Sequence, residues 1–265
     1  FYRDLAPRAP APHCYWCDFD PGTGAFGILL PDLAHMASED QLVGTSLSRL
    51  GTAIAGLADM HAHWWTSPNL DAYRWLCRPL DMYSGVVELY RGWWPVFYER
   101  FGPILPRGAG RFGDAAADAM HAVLEGQEGR PETLVHGDFK VDNLFFGGVP
   151  ERMVAVDWAL AARGPGAMDV ALFLTQSSSV EVRRARQWDV LRSWHDRICQ
   201  QGATTYSYED AVDDYRRSAL LYLVHPVAGG AHFEPGHERT DRLLATLSQR
   251  AFSAAVDLGL DELLP

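Results

Sequence analysis

The sequence is poor in lysine, in cysteine and in long apolar runs. Of its 23 basic residues only Lys140 is lysine, so chemistry that needs an ammonium group has one side-chain candidate. Four cysteines in 265 residues are too few for a disulfide scaffold, which predicts reduced thiols and a cytoplasmic protein. The longest apolar run, Ala219 to Val224, is far shorter than the ~20 residues that cross a bilayer. We therefore expect no membrane segment.

The negative net charge disfavours two kinds of binding partner. The formal net charge is −11 at pH 7, which argues against a nucleic acid or an anionic membrane surface as the main partner. With 48% apolar and 22% charged residues, the chain is large enough for one big domain or two small ones. Composition thus predicts an ordinary globular chain and leaves its function open.

A small β-rich segment is predicted to precede a mainly helical body. Cys14 to Asp20 and Ala25 to Leu30 flank a glycine-containing turn, which is typical of a hairpin. Ser38 followed by Gln41 predicts a capping box that opens a long amphipathic helix, with apolar residues recurring from Val43 to Trp64. Aromatic-rich helical segments cover 70–101, and further helices are predicted near 113–125, 180–201, 207–225 and 238–257.

A second β-containing region is predicted at 133–157. Thr133 to Val135 reads as a short strand, while Leu144 to Phe146 and Met153 to Val156 flank a turn with two glycines. If the latter two segments pair as an antiparallel hairpin, Asn143 and Asp157 lie just outside its open end. Cross-strand neighbours have Cβ atoms ~5 Å apart, so an amide oxygen and a carboxylate should converge there.

Oxygen ligands of this kind suit Mg²⁺, which takes few protein ligands and completes its shell with water and phosphate oxygens. Asp138, five residues before Asn143, would bring a second carboxylate close to such a metal. That is where a group that orients or deprotonates an attacking hydroxyl belongs.

The residues around this pair match a known pattern. His136 to Asn143 reads His-Gly-Asp-Phe-Lys-Val-Asp-Asn, Asp157 is followed by Trp158, and Gly164 to Asp169 reads Gly-Pro-Gly-Ala-Met-Asp. The first segment resembles the kinase catalytic loop, His-x-Asp-x-x-x-x-Asn, with its later metal-binding aspartate. The variant with glycine after the histidine is similar to the aminoglycoside phosphotransferase and choline kinase-like group, most closely to its ecdysteroid kinase-like branch of small-molecule phosphotransferases.

The resemblance implies an α+β, protein-kinase-like fold. Residues 1–33 would be a partial nucleotide-binding N-lobe with the hinge, and residues 34–265 a helical C-lobe with an embedded hairpin, the catalytic loop and the acceptor site. Because the lysine and glutamate of a complete N-lobe are not visible, we expect the native protein to extend upstream.

The same resemblance implies ATP- and Mg²⁺-dependent transfer of the γ-phosphate to a hydroxyl of a small molecule. Asp138 would be the catalytic base, and Lys140 would face the γ-phosphate. Asn143 and Asp157 would hold Mg²⁺. Asp169 and His136 would support the loop from behind.

The hinge is expected at Leu29 to Leu33. Adenine would bond the backbone carbonyl of Pro31 and the backbone N–H of Leu33, and Leu30 would guard the rear of the pocket. Proline can serve here because only its carbonyl is used.

Several alternatives stay open beside this interpretation. A catalytically silent nucleotide-binding or scaffolding relative would keep the same fold, whereas a two-metal phosphoesterase would need a second His/Asp cluster that the sequence lacks. Cys14 and Cys17 have no second cysteine pair for zinc, and His61 lies on the apolar stripe of its helix, which favours a core histidine.

The short stretch from Asp157 to Asp169, with no Ala-Pro-Glu after it, favours a small-molecule acceptor over a peptide.

Overall fold

The computed structural model describes residues 1–265, in which helices carry most of the chain and seven short strands form three small antiparallel sheets. The strands are β1 (Trp16–Phe19), β2 (Phe26–Leu29), β3 (Ala37–Ser38), β4 (Thr133–Val135), β5 (Leu144–Gly147), β6 (Arg152–Ala155) and β7 (Ala162–Gly164). The helices are α1 (Leu47–Trp64), α2 (Pro79–Phe101), α3 (Asp114–Glu125), α4 (Ala167–Gln176), α5 (Val180–Gln200), α6 (Tyr208–Leu221), α7 (Val224–His232) and α8 (Glu238–Asp257). The predicted α+β class is confirmed.

The first hairpin forms as predicted, with shorter strands. Trp16 pairs with Leu29 and Phe19 with Phe26. The Trp16 ring lies over Gly27, where a Cβ atom would stand 2.7 Å from it, so only glycine fits beneath the indole. Phe26 is 74% exposed, and the ribbon as a whole presents large apolar side chains on its surface.

The predicted capping box at Ser38 and Gln41 is wrong. Ser38 lies in β3, opposite Phe145 of β5, and the Gln41 N–H donates to the Asp142 carboxylate at 2.8 Å. Helix α1 begins only at Leu47, after Ser46. Backbone groups of this segment bond the sheet and the catalytic loop. These tertiary contacts outweigh the Ser38–Gln41 pattern, which by itself favours a helix start.

A buried arginine holds this linker against the helical body. Arg250 of α8 is 5% exposed, and its guanidinium donates to four backbone carbonyls. These belong to Gln41, Leu42, Val43 and Gln176. The contact ties the end of α4 to the segment between β3 and α1, and burial lowers the pKa of Arg250.

The other predicted helices are found, with differences of detail. The prediction at 207–225 covers two helices, α6 and the start of α7, and neither α4 nor β7 was predicted. Helix α4 is buried on every side, so it shows no amphipathic period to detect. The core takes up Tyr83, Tyr90 and Trp94, which agrees with the expectation that most aromatic residues of 64–94 pack between helices.

No helix in the structure combines the length and the apolar character that a membrane crossing requires. All four cysteines are free thiols. The division of the chain at residue 33 into two lobes stays a prediction.

Candidate active site

The catalytic loop follows the buried strand β4, which pairs with β7. It runs from His136 to Asn143 and ends in a short 3-10 turn that leads into β5. The Val141 N–H donates to Ser177 Oγ at 2.9 Å, just beyond the end of α4. The loop is therefore held from three sides, by a strand at each end and by α4 beneath it.

Three predicted residues meet at the centre of this loop. The Lys140 ammonium donates to Asp138 Oδ2 at 2.6 Å, and the Asn143 amide nitrogen donates to the same oxygen at 3.1 Å. Asn143 also donates to the backbone carbonyl of Asp138 at 2.9 Å. These bonds fix the carboxylate and leave Asp138 Oδ1 and Asn143 Oδ1 without partners in the chain.

Asp157 lies at the open end of the hairpin. The Asn143 backbone carbonyl accepts from the Val156 N–H at 2.9 Å, so Asp157 comes one residue beyond the last pairing. It has the left-handed conformation (φ 59°, ψ 63°), which turns the chain out of the strand. Its side chain is exposed and makes no hydrogen bond or ion pair within the chain.

This donor set suits a hard cation. Asn143 and Asp157 offer oxygen atoms without partners, and magnesium commonly takes one or two protein carboxylates with water and phosphate oxygens. No group of three His, Cys, Asp or Glu side chains could hold a metal alone. A cation at this end would therefore depend on water and on a phosphate ligand.

His136 connects the loop to the end of β6, next to Asp157. It is fully buried, its Nε2 lies 2.9 Å from the Val156 carbonyl, and its Nδ1 accepts from the Asp138 N–H at 3.2 Å. Since Nδ1 accepts, the proton is on Nε2, which donates to Val156. Burial lowers the pKa of His136, so the ring stays neutral. Its two nitrogens link the backbone of Asp138 to that of Val156, the residue before Asp157.

A buried carboxylate anchors the start of the loop. Asp169 accepts from the His136 N–H at 2.7 Å and from the Gly137 N–H at 2.9 Å, one with each oxygen. The same carboxylate lies 3.3 Å from His61 Nε2. Two successive backbone donors on one carboxylate fix the direction in which the loop leaves β4.

His61 is the residue whose contacts sequence reasoning missed. The Trp194 indole N–H donates to His61 Nδ1 at 3.0 Å, so the histidine proton is on Nε2 and points to Asp169. A Cβ atom on Gly166 would stand 2.8 Å from His61 Nδ1, which explains a glycine here. The only sequence signal was a histidine on an apolar helix face, and the expected core placement is correct.

Gly137 is required at its position. Its φ is +79°, and a Cβ atom would stand 2.0 Å from the Leu160 carbonyl oxygen. We expect Gly137→Ala to lower the free energy of unfolding by about 3–5 kcal/mol, because backbone strain and a backbone clash add together.

Gly129→Ala is the matched control in a urea titration of that variant. Gly129 has nearly the same φ, +80°, but no atom lies within 4 Å of the position that a Cβ atom would take, so only the strain of about 1–2 kcal/mol should be lost. Equal losses at the two glycines would show that contact with Leu160 does not constrain the loop.

The predicted hinge residues lie between β2 and β3. Leu30, Pro31 and Leu33 are half-buried, and neither the Pro31 carbonyl nor the Leu33 N–H forms a hydrogen bond within the chain. The Leu33 carbonyl accepts from Met36 N at 2.8 Å, which turns the backbone toward β3. Both backbone groups that the predicted hinge would use are thus unpaired within the chain, and their role in binding adenine stays a prediction.

A separate groove of about 990 Å³ runs along the outer face of α1. Small residues of the helix and the side chains of Arg152 and Arg197 line it, and none of the predicted site residues takes part. The groove therefore lies apart from the candidate active site at the loop.

Comparisons with known proteins agree with this geometry. The ecdysteroid kinase-like family matches residues 87–204, a stretch that includes the catalytic loop and Asp157. An aminoglycoside phosphotransferase-like protein of Ralstonia eutropha has a similar structure, with 15% identity, a TM-score of 0.53, and coverage of 96% of this chain and 80% of that one.

An ethanolamine kinase of Plasmodium vivax is also similar in structure, with 11% identity and a TM-score of 0.50 over 93% of this chain and 70% of that chain. No curated protein matches the sequence. The resemblance inferred from the loop is confirmed: over residues 87–204 the chain matches the ecdysteroid kinase-like family, within a protein-kinase-like fold.

Proposed function

We propose that the protein transfers the γ-phosphate of ATP, with Mg²⁺, to a hydroxyl group of a small molecule. The observation that carries this proposal is the convergence of Asp138, Lys140 and Asn143 at the hairpin end that also presents Asp157. A fixed carboxylate, one ammonium and unpartnered oxygen ligands are the groups that phosphoryl transfer needs.

In this proposal Asp138 receives the hydroxyl proton. Its Oδ2 is occupied by Lys140 and Asn143, which leaves Oδ1 free for an incoming acceptor. Asp138 then acts as the base that orients the nucleophile, while its bonds to Lys140 and Asn143 hold the carboxylate in one rotamer.

Lys140 is 29% exposed and can approach a phosphate without leaving the loop. It would stabilise the charge on the transferred group. Asn143 and Asp157 would hold Mg²⁺, which when bound neutralises charge on the phosphate oxygens. The Pro31 carbonyl and the Leu33 N–H would bind the adenine edge, and Leu30 would close the rear of its pocket.

A small molecule is favoured over a peptide as the acceptor. After Asp157 the chain makes one 3-10 turn and the short strand β7, and then enters α4 at Ala167. This connection is tied down by the β4–β7 pairing and leaves no long segment to form a peptide platform.

The four free cysteines fit the expected cytoplasmic location, which stays part of the proposal.

The test is acceptor-dependent release of ADP from Mg·ATP by the full-length protein, screened over hydroxylated metabolites and antibiotics. We expect at least one acceptor to raise ADP release far above the background of an Asp138→Asn control, with a phosphorylated product seen by mass spectrometry. ATP binding with no acceptor-dependent release would favour the silent relative, and efficient phosphorylation of a peptide would contradict the acceptor class.

A further inference from the structure

Two cysteines, Cys14 and Cys17, lie at the end of the first hairpin where β1 begins and β2 ends. They are three residues apart in the chain. In a regular strand, side chains alternate between the two faces, so residues three apart point to opposite faces. Regular alternation would therefore place the two thiols on opposite faces of the ribbon.

A β-bulge at Tyr15 changes this alternation. Trp16 is the register partner of Leu29, and the Tyr15 N–H also donates to the Leu29 carbonyl at 2.9 Å. Two successive residues thus oppose a single residue of β2, which is the arrangement that defines a bulge. The extra residue shifts the alternation by one position, so Cys14 and Cys17 come to the same face.

The surroundings of the two thiols agree with this placement. The Cys14 thiol donates to the Trp16 carbonyl at 3.2 Å, and this carbonyl belongs to the peptide bond that leads into Cys17. Both cysteines line one cavity of about 600 Å³, which residues 2–13 enclose on the other side. Both are half-buried free thiols, so a small reagent can reach them from the cavity.

The pair offers two sulfur ligands to a bound centre. No group of three His, Cys, Asp or Glu side chains in the structure could hold a metal ion. Zinc takes four protein ligands in structural sites, so this pair does not satisfy it. Thiolates are soft ligands that select soft centres such as monovalent copper. Trivalent arsenic that carries one carbon substituent is likewise satisfied by two sulfur atoms.

The thiol chemistry favours binding over oxidation. Burial and the neighbouring Cys17 thiol raise the pKa of Cys14. This thiol is therefore protonated at pH 7, and a protonated thiol is a poor nucleophile toward an oxidant. A centre with high affinity for sulfur can still displace the two thiol protons.

We infer that Cys14 and Cys17 form a chelating site for a thiophilic centre that binds two sulfur atoms, namely monovalent copper or trivalent arsenic. With phenylarsine oxide, two As–S bonds form, the oxide oxygen leaves as water with both thiol protons, and arsenic stays trivalent. With monovalent copper, two Cu–S bonds form and both protons pass to solvent. The cavity includes no residue of the catalytic loop, so this inference is independent of the proposed function.

The first test adds phenylarsine oxide to the protein with excess glutathione, which removes arsenic bound by a single thiol. We expect one phenylarsenic group per chain by intact mass, and a fall in free thiols from four to two. Cys14→Ser and Cys17→Ser should each lower the apparent affinity roughly 100-fold or more, since linking two binding groups commonly gains about 100- to 10,000-fold.

Cys77→Ser and Cys199→Ser are the matched controls, because each also removes one free thiol. Cys77 is exposed, and Cys199 is half-buried with its sulfur 3.4 Å from His195 Nε2. Neither variant should change the affinity or the stoichiometry. Unchanged affinity in Cys14→Ser or Cys17→Ser overturns the inference.

A second variant tests the shared face directly. Cys17→Ser combined with Asp18→Cys moves one thiol by a single residue and keeps the number of thiols. The next residue of a strand points to the other face, so this double variant should bind as weakly as Cys17→Ser alone. Binding as tight as in the unaltered protein would show that the bulge does not bring the thiols together, and overturns the inference.

Monovalent copper, added without oxygen, distinguishes the two centres. X-ray absorption should show two sulfur neighbours around one copper ion per chain, and Cys14→Ser should lose this signal. Two-sulfur binding of copper, of arsenic or of both supports the inference and identifies the centre. Binding of neither overturns it.

Discussion

Replacing Asp138 by alanine should abolish phosphoryl transfer while Mg·ATP binds almost as before. The Asp138 carboxylate is held by Lys140 and Asn143, and its free oxygen is available to the acceptor. Loss of a general base commonly costs roughly 100- to 10,000-fold in rate. The rate is measured as acceptor-dependent ADP release, and nucleotide affinity by calorimetry with and without Mg²⁺.

Asp157→Ala should lose both activity and the Mg²⁺ dependence of nucleotide binding. The Asp157 side chain is exposed and unpartnered at the hairpin end, so its removal takes away a ligand without breaking an internal bond. Asp142→Asn is a suitable control on the same loop, since asparagine can still accept from the Gln41 N–H. Equal loss of nucleotide binding in the Asp138 and Asp157 variants would contradict these separate roles.

Asp169→Ala should lower the free energy of unfolding by about 3–5 kcal/mol. The substitution leaves three buried donors without a partner, namely the N–H groups of His136 and Gly137 and the Nε2–H of His61. Each unsatisfied buried donor costs about 1–3 kcal/mol, and a domain of this kind is commonly stable by only about 5–15 kcal/mol. Urea unfolding followed by tryptophan fluorescence measures the loss.

Asp189→Ala controls for loss of an acidic residue in that experiment. Asp189 is 69% exposed and pairs only with Arg186 at 3.5 Å, so its removal should change stability by less than about 0.5 kcal/mol. Asp169→Asn should fall between the two variants, because its amide oxygen can still accept a bond. A loss below about 1 kcal/mol for Asp169→Ala would mean that solvent or a neighbour satisfies the loop.

The sequence predicts those parts of the site that are close together in the chain. Asp138, Lys140 and Asn143 lie within one loop, so their spacing already indicates which side chains can meet. The hairpin between Asn143 and Asp157 was readable from two short strands and a glycine turn. Local pattern was therefore enough to predict this juxtaposition.

Contacts across long separations could not be predicted in this way. His61 and Asp169 are 108 residues apart, and Trp194, which fixes the His61 tautomer, comes from another helix. The Ser38 prediction failed for the same reason, since its partner strand follows more than a hundred residues later. Helix α4 has no polar face, so its sequence shows no alternation of polar and apolar residues from which a helix could be predicted.

Because Lys140 is the one lysine of these 265 residues, cleavage after lysine can measure how often the catalytic loop opens. Within these 265 residues a protease that cuts only after lysine has one site, between Lys140 and Val141, and the buried Val141 is hydrogen-bonded to Ser177. Cleavage therefore requires the loop to detach from α4, and its rate reports how often that local opening occurs. The rate of cleavage at this bond would then report the loop dynamics, with no label or engineered residue needed.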